Sequence, residues 1–208
     1  IHILTVQGKT PIFLATGKEV KAIFWIADTI KDNAKEAIAE LHRLWIKAVM
    51  LTWDNKQTAE HIASLVWIDD VRAEVLPHQK ADVVRSLKEE WAVVAMCWDG
   101  INDAPALALA DVRIAMGTGT DVAIETADMT LLAGDISKLV KAIKLSRRTM
   151  ATIKQNLFWA FIYNIVWIPL AAGLFYPVLL NPIFAGLAMA MSSVSVVANS
   201  LRLKNTKL

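Results

Sequence analysis

The stretch AMCWDGINDAPALALAD, residues 95–111, decides the fold because an apolar run leads into a carboxylate-rich loop and then into a helical pattern. The loop region carries three carboxylates and one amide: Asp99, Asp103, Asp111 and Asn102. Hard oxygen ligands of this kind suit Mg²⁺. A strand that ends in such a loop is typical of an α/β sheet, where ligands bind at the carboxyl ends of the strands. The bulky Trp98 directly before Asp99 is unexpected in a loop that would approach a phosphate.

Composition places this stretch in a chain of uneven polarity. The 208 residues have a formal net charge of +2, which gives no sign of a nucleic-acid partner, and we expect none. The single cysteine excludes an intrachain disulfide and suits a reducing compartment. Most charged residues lie in 1–150, whereas 157–200 has none. The two halves are therefore expected to occupy different solvents.

The first half alternates apolar runs with amphipathic segments. The pattern predicts strands over 20–26, 46–51, 71–75, 92–97, 112–115 and 129–132, and helices over 31–44, 58–66, 80–90 and 105–110. The run 46–51 is predicted to be buried on both faces. Such alternation implies a parallel sheet with helices on both faces. The loops at 52–54 and 98–100 both follow strands, so we expect them to meet at one site.

The second half contains two uncharged stretches, 157–176 and 183–200, separated by Pro177 and Asn181-Pro182. Each is long enough to span a bilayer core of about 30 Å. Basic residues lie outside both ends, which favours a hairpin with both ends cytoplasmic. The alternative for each stretch is a buried helix of a soluble domain. The run 135–156 is predicted to be a helix that links the two halves. A soluble site tied to a membrane hairpin suggests chemistry coupled to transport.

Several motifs in a fixed order then identify a family. They are DTIK at 28–31, MLTWDN at 50–55, LP at 76–77 with Lys80, DGINDAP at 99–105 and MGTGTD at 116–121. In this order and spacing they resemble the C-terminal portion of a heavy-metal P-type ATPase, most like the Cu⁺ exporters, over nearly the whole chain.

The resemblance implies an α/β, parallel-sheet haloacid-dehalogenase-like domain followed by an all-α transmembrane hairpin. It divides the chain into the tail of a nucleotide-binding insertion (1–22), the C-terminal part of a phosphorylation domain (23–134), a linking helix (135–156), the transmembrane hairpin (157–200) and a cytoplasmic tail (201–208). It also implies an integral membrane protein, in the plasma (inner) membrane, with residues 1–150 cytoplasmic.

The same resemblance implies an incomplete site. The family's D-K-T-G-T motif, whose Asp takes the γ-phosphate of ATP, is absent from this sequence and lies upstream in the family. We therefore expect the chain to be inactive alone and to depend on the nucleotide-binding, actuator and earlier transmembrane segments of the pump. The bilayer is a further expected partner, and a copper chaperone is left open.

Carried onto this chain, the family's catalytic residues are Thr52, Asp54, Lys80, Asn102 and Asp103. Thr52 can donate its hydroxyl and the following amide to a phosphate oxygen. Lys80 offers a positive charge against the negative charge that develops on the phosphoryl group. Asn102 can donate to the phosphate, while Asp99 and Asp103 suit Mg²⁺. The ordinary alternative is that these are turn residues and a solvated lysine.

Motifs in the membrane half narrow the choice of transported ion, here called the cargo. Asn156, Tyr163, Asn164 and Pro169 fit N-x6-Y-N-x4-P, and Met189 to Arg202 fits M-x2-S-S-x5-N-x2-R. Both patterns look like the Cu⁺ branch of the family, so the resemblance assigns transported Cu⁺, or Ag⁺, to Tyr163, Asn164, Met189 and Ser193. A thioether suits a soft ion. The alternative is helix packing, with Ser and Asn as interhelical hydrogen-bonding groups and Met as filler.

The tryptophans depart from the family pattern. Six of the eight stand where the family typically has glycine: Trp45, Trp53, Trp67, Trp91, Trp98 and Trp167. Glycine at 53 and 98 would let the backbone approach a phosphate and could supply positive φ. Either the site is damaged, or, as we favour, the residues are glycines whose codon was read in the wrong genetic code. Arg113, at another typical glycine position, needs a separate cause.

Two other functions compete with a transport ATPase. One is a membrane-anchored phosphohydrolase, against which the intramembrane polar residues argue, since an anchor needs none. The other is a catalytically inactive chain with a structural or regulatory role, which the absent nucleophile and the tryptophans favour.

Overall fold

The computed structural model describes residues 10–26, 29–90, 93–98, 104–116, 127–131, 135–174 and 182–206. The chain divides into two compact units, 1–140 and 141–208, and the boundary lies within one long helix. The first unit holds all the described strands and the second is helical.

The chain begins with an antiparallel hairpin. Strand β1 (Thr10–Thr16) pairs with β2 (Glu19–Ile26) around a two-residue turn, where Gly17 takes φ +65°. Glycine adopts this left-handed conformation without a Cβ penalty. The predicted strand at 20–26 is thus present, but it is not part of the parallel sheet. The expected boundary between 22 and 23 falls inside β2.

The parallel strands form two separate groups. Strand β3 (Val49–Leu51) pairs with β4 (Asp70–Arg72), and β5 (Ala95–Trp98), β6 (Val112–Met116) and β7 (Met129–Leu131) follow one another in a second sheet. All three pairings are parallel, as the strand–helix alternation predicts. Within the described residues no backbone ladder joins β3 to β5, so the expected single sheet appears as two pieces.

Four helices connect these strands. They are α1 (Ala34–Arg43), α2 (Lys56–Val66), α3 (Lys80–Glu90) and α4 (Ala104–Leu109). The bounds of α3 agree with the prediction, and the others differ by up to three residues at an end. Apolar residues at helical spacing, such as Ala37, Ile38 and Leu41, bury one face of α1.

Side chains rather than backbone bonds bring the two sheets together. Val84 of α3 and Ala106 of α4 are buried in one cluster, against which Leu51 of β3 and Met96 of β5 pack. Apolar contact of this kind is non-directional and follows the area removed from water. The cluster therefore sets the two parallel sheets side by side without a shared strand.

The sheets are covered less completely than predicted. All three residues of β3 are only half-buried, so the expectation of burial on both faces is wrong for the run 46–51. Along β5, Met96 and Trp98 face the core whereas Ala95 and Cys97 are exposed. One face of β5 is thus covered by helices and the other is open in the described chain.

The second unit consists of two helices. Helix α5 (Ile136–Ala171) is continuous over 36 residues, about 54 Å at 1.5 Å per residue, so the linking helix and the first predicted membrane helix are one element. Helix α6 (Pro182–Leu201) continues into a 3₁₀ turn, Arg202–Asn205. Among the described residues one segment, Gly186–Asn205, is long and apolar enough to cross a membrane. The two-helix hairpin remains a prediction.

The structure supplies a reason for Arg113. Its guanidinium donates to both carboxylate oxygens of Asp128, Nε to Oδ2 at 3.0 Å and a terminal nitrogen to Oδ1 at 2.6 Å. The Arg113 N–H also donates to that carboxylate at 3.0 Å. These donated bonds hold the pKa of Asp128 at about 2. The arginine thus ties the start of β6 to the residue before β7.

A pH profile tests this tie. The pKa of Asp128 is depressed in the folded chain, so its stabilisation is complete above the unfolded value of about 3.9 and disappears as pH falls through about 2. We expect Asp128→Asn to lower the urea midpoint at pH 7, with the deficit shrinking between pH 4 and pH 2. Exposed Asp32, with Asp32→Asn, is the control. A deficit that does not change over this interval would contradict the assignment.

Candidate functional site

The loop after β3 is closed by its own side chains. The Thr52 hydroxyl donates to Asp54 Oδ2 at 2.7 Å and accepts from the Asp54 N–H at 3.2 Å. Asn55 then caps α2 by accepting from the Thr58 N–H at 2.9 Å. Thr52 is half-buried and Asp54 is exposed. The hydroxyl expected to face a phosphate is therefore held by Asp54 and must leave that carboxylate to donate to a ligand.

The segment after β4 is bonded to this loop. The Val75 N–H donates to the Thr52 carbonyl at 3.1 Å, and the Glu74 N–H donates to the Asp54 carbonyl at 2.9 Å. A short 3₁₀ turn, Pro77–Gln79, then leads directly into α3, whose first residue is Lys80. Lys80 is half-buried. The segment between β4 and α3, residues 73–79, thus leads to Lys80 and is hydrogen-bonded to the loop that contains Thr52.

The strand β5 ends on a buried tryptophan. Trp98 is 4% exposed and packs with Leu107 of α4 and with Met96. Its indole Nε1 is buried and has no hydrogen-bond partner among the described residues, which is unfavourable for a polar group. Three predicted ligands that follow it, Asp99, Asn102 and Asp103, lie outside the described residues.

The described flanks of the candidate site converge on one core. Leu51 precedes Thr52 and Ala81 follows Lys80, and both pack against the cluster of Val84 and Ala106. Met96, near the end of β5, packs on the same cluster. The loop after β3, the start of α3 and the end of β5 are therefore anchored on one core, whereas residues 99–103 of the second loop lie outside the described residues, so the meeting of the two loops stays a prediction.

Asp111 does not belong to this site. Its carboxylate accepts from the Val94 N–H at 2.9 Å and forms an ion pair with Lys88 at 2.7 Å. The bond from Lys88, and then that from Val94, lowers the pKa of Asp111. Val94 precedes β5, so Asp111 lies at its amino end, because α4 returns the chain before β6 begins. The grouping of Asp111 with Asp99 and Asp103 in the opening stretch is wrong.

Among the described residues of the second unit, no hydrogen bond joins the four candidate cargo ligands to one another. Asn164 donates to the Ala160 carbonyl of its own helix at 2.9 Å. Met189 is 76% exposed, and Ser193 opens onto a shallow apolar groove of α6. Tyr163 is half-buried. Their assignment to Cu⁺ remains a prediction.

The structure adds a polar cluster whose contacts the sequence did not reveal. Asn199 of α6 donates to Asn156 Oδ1 of α5 at 2.9 Å, and to Gln155 Oε1 at 3.3 Å. Asn156 in turn donates to Ser200 Oγ at 2.9 Å. Both asparagines belong to the motifs quoted above, so their presence at the outer ends of the two apolar stretches was the available signal.

Preformed metal centres are not found in the described part of the chain. Across 10–26, 29–90 and the later described segments, no three His, Cys, Asp or Glu side chains are grouped to hold an ion. The oxygen ligands that the motifs supply for Mg²⁺ fall outside these segments. Their carboxylate and amide oxygens nevertheless have the chemistry that Mg²⁺ prefers.

Comparison with known proteins gives one consistent answer. Residues 1–111 match the haloacid dehalogenase-like hydrolases. The chain is 58% identical over 201 residues to a probable copper-transporting ATPase, PacS, of Synechocystis sp., covering 95% of this chain and 27% of that protein. It is 54% identical over 202 residues to a probable copper-exporting P-type ATPase of Archaeoglobus fulgidus, covering 96% and 25%. The chain thus spans about a quarter of these relatives.

Solved structures agree with the sequence relatives. A zinc-transporting PIB-type ATPase in its E2·Pi state matches with a TM-score of 0.82 and 37% identity, over 97% of this chain and 32% of that one. The catalytic domain of the CPx-ATPase CopB-B matches with a TM-score of 0.53 and 29% identity, over 65% and 58%. The expected resemblance to heavy-metal P-type ATPases is confirmed.

The Asn156–Asn199 contact can be measured by a double-mutant cycle. We expect Asn156→Ala and Asn199→Ala to be non-additive in detergent micelles, with a coupling of about 0.6 kcal/mol and at most about 1.7, because each removes the same interhelical bond. Unfolding followed by circular dichroism is the measurement. Ser195 bonds its own helix at Ser192, so Ser195→Ala with Asn156→Ala should be additive. Additivity of the asparagine pair would contradict the contact.

Proposed function

Since this chain belongs to the haloacid dehalogenase-like hydrolases and its relatives are copper-transporting P-type ATPases, we propose that it is part of an ATP-driven heavy-metal export pump. Hydrolysis of ATP through an aspartyl-phosphate would be coupled to movement of the ion, most simply Cu⁺ or Ag⁺. The remaining segments of the pump would be its partners, and it would lie in the plasma membrane with residues 1–150 in the cytoplasm.

The observation that supports this proposal is that no backbone ladder joins β3 to β5 among the described residues. Within the described residues each strand has a backbone partner on one side only, yet the Leu51–Met96 cluster holds the two strands in the same core. A further parallel strand is the natural occupant of such a gap, since unpaired ladder groups favour strand addition. We assign that place to the segment bearing the D-K-T-G-T motif. Its Asp would then emerge at the carboxyl edge beside Thr52.

The chain's own residues would serve the phosphoryl group from that edge. Thr52 would exchange its bond to Asp54 for a bond to a phosphate oxygen, and Lys80 would oppose the charge that develops in transfer. Asp99 and Asp103 would hold Mg²⁺, which supplies charge neutralisation when bound, and Asn102 would donate to the phosphate. Asp54 would orient the loop when the hydroxyl is released.

The second unit would carry the cargo. Its long apolar helices and the thioether of Met189 fit passage of a soft cation through a membrane. Tyr163, Asn164 and Ser193 would complete the path once neighbouring helices of the pump cover them, since exposed polar groups are costly in lipid.

A chimera tests the assignment. This chain, with Trp53→Gly and Trp98→Gly, would replace its counterpart in the Synechocystis relative. We expect copper-stimulated phosphate release from the chimera and none from the isolated chain with Mg-ATP, because the nucleophile lies in the added part. Replacement of that nucleophilic Asp by Asn is the control. Phosphate release by the isolated chain, or copper-independent turnover of the chimera, would overturn the proposal.

Two substitutions of Thr52 in the same chimera distinguish a catalytic role of its hydroxyl from a structural one. Thr52→Ser keeps the hydroxyl and should retain most of the turnover, whereas Thr52→Val should lose about 10²-fold in kcat through loss of a donor to the phosphate. Phosphate release and phosphoenzyme formation from labelled ATP are the measurements. Equal rates for the Ser and Val variants would remove Thr52 from the catalytic set.

A further inference from the structure

Two tryptophans adopt a backbone conformation that suits glycine. Among the described residues, the non-glycine positions with positive φ are Trp45 at 60°, Trp67 at 63° and Glu74 at 58°. The left-handed conformation brings Cβ close to the following carbonyl oxygen, and for a bulky residue it is rare. Both tryptophans belong to the six that stand at typical glycine positions.

Both tryptophans lie just after the C-terminal end of a helix, where backbone N–H groups cap the last carbonyls in a similar pattern. After α1, the Trp45 N–H donates to the His42 carbonyl at 2.9 Å and the Ile46 N–H to the Leu41 carbonyl at 3.0 Å. After α2, the N–H groups of Trp67 and Ile68 both donate to the Ala63 carbonyl, the latter at 3.0 Å. This is the hydrogen-bonding pattern of a Schellman-type cap, in which the left-handed residue is usually glycine.

The indole rings do little to offset the strain. The side chain of Trp45 is almost wholly in solvent, at 96% exposure. Trp67 is 53% exposed, and its ring receives Lys35 Nζ at 4.2 Å from the centroid. An exposed cation–π contact contributes little. Packing therefore gives no reason for tryptophan at residue 45 and a weak one at residue 67.

Positions 53 and 98 call for glycine for a different reason. Neither has positive φ in the structure, so the freedom of glycine to adopt a left-handed backbone gives no argument at these two positions. At 98 the difficulty is the buried indole, whose N–H finds no partner in the part of the chain that the structure describes. At 53, which follows Thr52 and precedes Asp54 in the sequence, the side chain is an indole that is 74% exposed. Glycine would remove the unpaired group at one position and clear the loop at the other.

We infer that residues 45 and 67 are glycine in the protein as its host makes it, together with 53, 91, 98 and 167. A codon that specifies tryptophan in one genetic code and glycine in another accounts for all six positions at once. Independent mutation would have to reach two separate helix caps and two loops of the candidate site with the same residue. Arg113, which has its own partner in Asp128, lies outside this inference.

Peptide masses of the protein isolated from its own host decide the residue. We expect fragments covering 44–57 and 61–72 to be lighter at positions 45, 53 and 67 by the difference between an indolylmethyl group and a hydrogen. Trp159, measured in another fragment, is the internal reference for unaltered tryptophan. Tryptophan at either 45 or 67 would overturn the inference.

Matched variants of the full chain test the physical reason. Trp45→Gly should have an unfolding equilibrium constant about three- to tenfold smaller than that of Trp45→Ala, because only alanine keeps the strained Cβ. Trp67→Gly should gain less over the parent chain, since it also loses the Lys35 contact. Trp53, which is exposed but lacks positive φ, is the control: there Ala should be at least as stable as Gly. Equal stability of the two Trp45 variants would overturn the inference.

Discussion

The shared packing of β3 and β5 against helices α3 and α4 is the constraint on which the arrangement of the first unit depends. Leu51 and Met96 meet on Val84 and Ala106, and no described backbone bond reinforces them. This one cluster anchors Leu51, directly before the loop of Thr52, and Met96, near the carboxyl end of β5. Helices α3 and α4 fill this cluster with Val84 and Ala106. The first residue of α3 is Lys80, so the packing of this helix also fixes where the candidate catalytic lysine begins.

Much of the fold follows from local pattern. The bounds of α3 could be predicted because its apolar positions repeat at helical spacing, and parallel pairing followed from the alternation of strands and helices. The partner of β2 could not, because a strand's pattern fixes which face is buried but not which strand lies beside it. The interruption between β3 and β5 was invisible for the same reason.

In the candidate site, too, some features could be predicted from the sequence and others could not. Thr52 and Lys80 were recognised from motif spacing, and the bonds from Val75 and Glu74 explain why that spacing matters. Asp111 was misplaced because nearness in sequence says nothing of direction once α4 reverses the chain. In the second unit, sequence could not separate Asn164, which bonds its own helix, from Asn156, which bonds its neighbour. Both are asparagines within or beside an apolar stretch of sequence, and only the geometry distinguishes them.

Among the described residues, β3 and β5 each have one edge without a backbone partner, and this has a practical consequence. A strand with unpaired N–H and C=O groups adheres to any extended segment of suitable sequence, including one from another copy of the same chain. The hairpin adds to this tendency, since Phe13 and Phe24 are about half exposed. Produced without the strand that we propose for this gap, the chain is expected to self-associate. A short synthetic peptide supplied during refolding would compete with self-association and act as a solubilising agent.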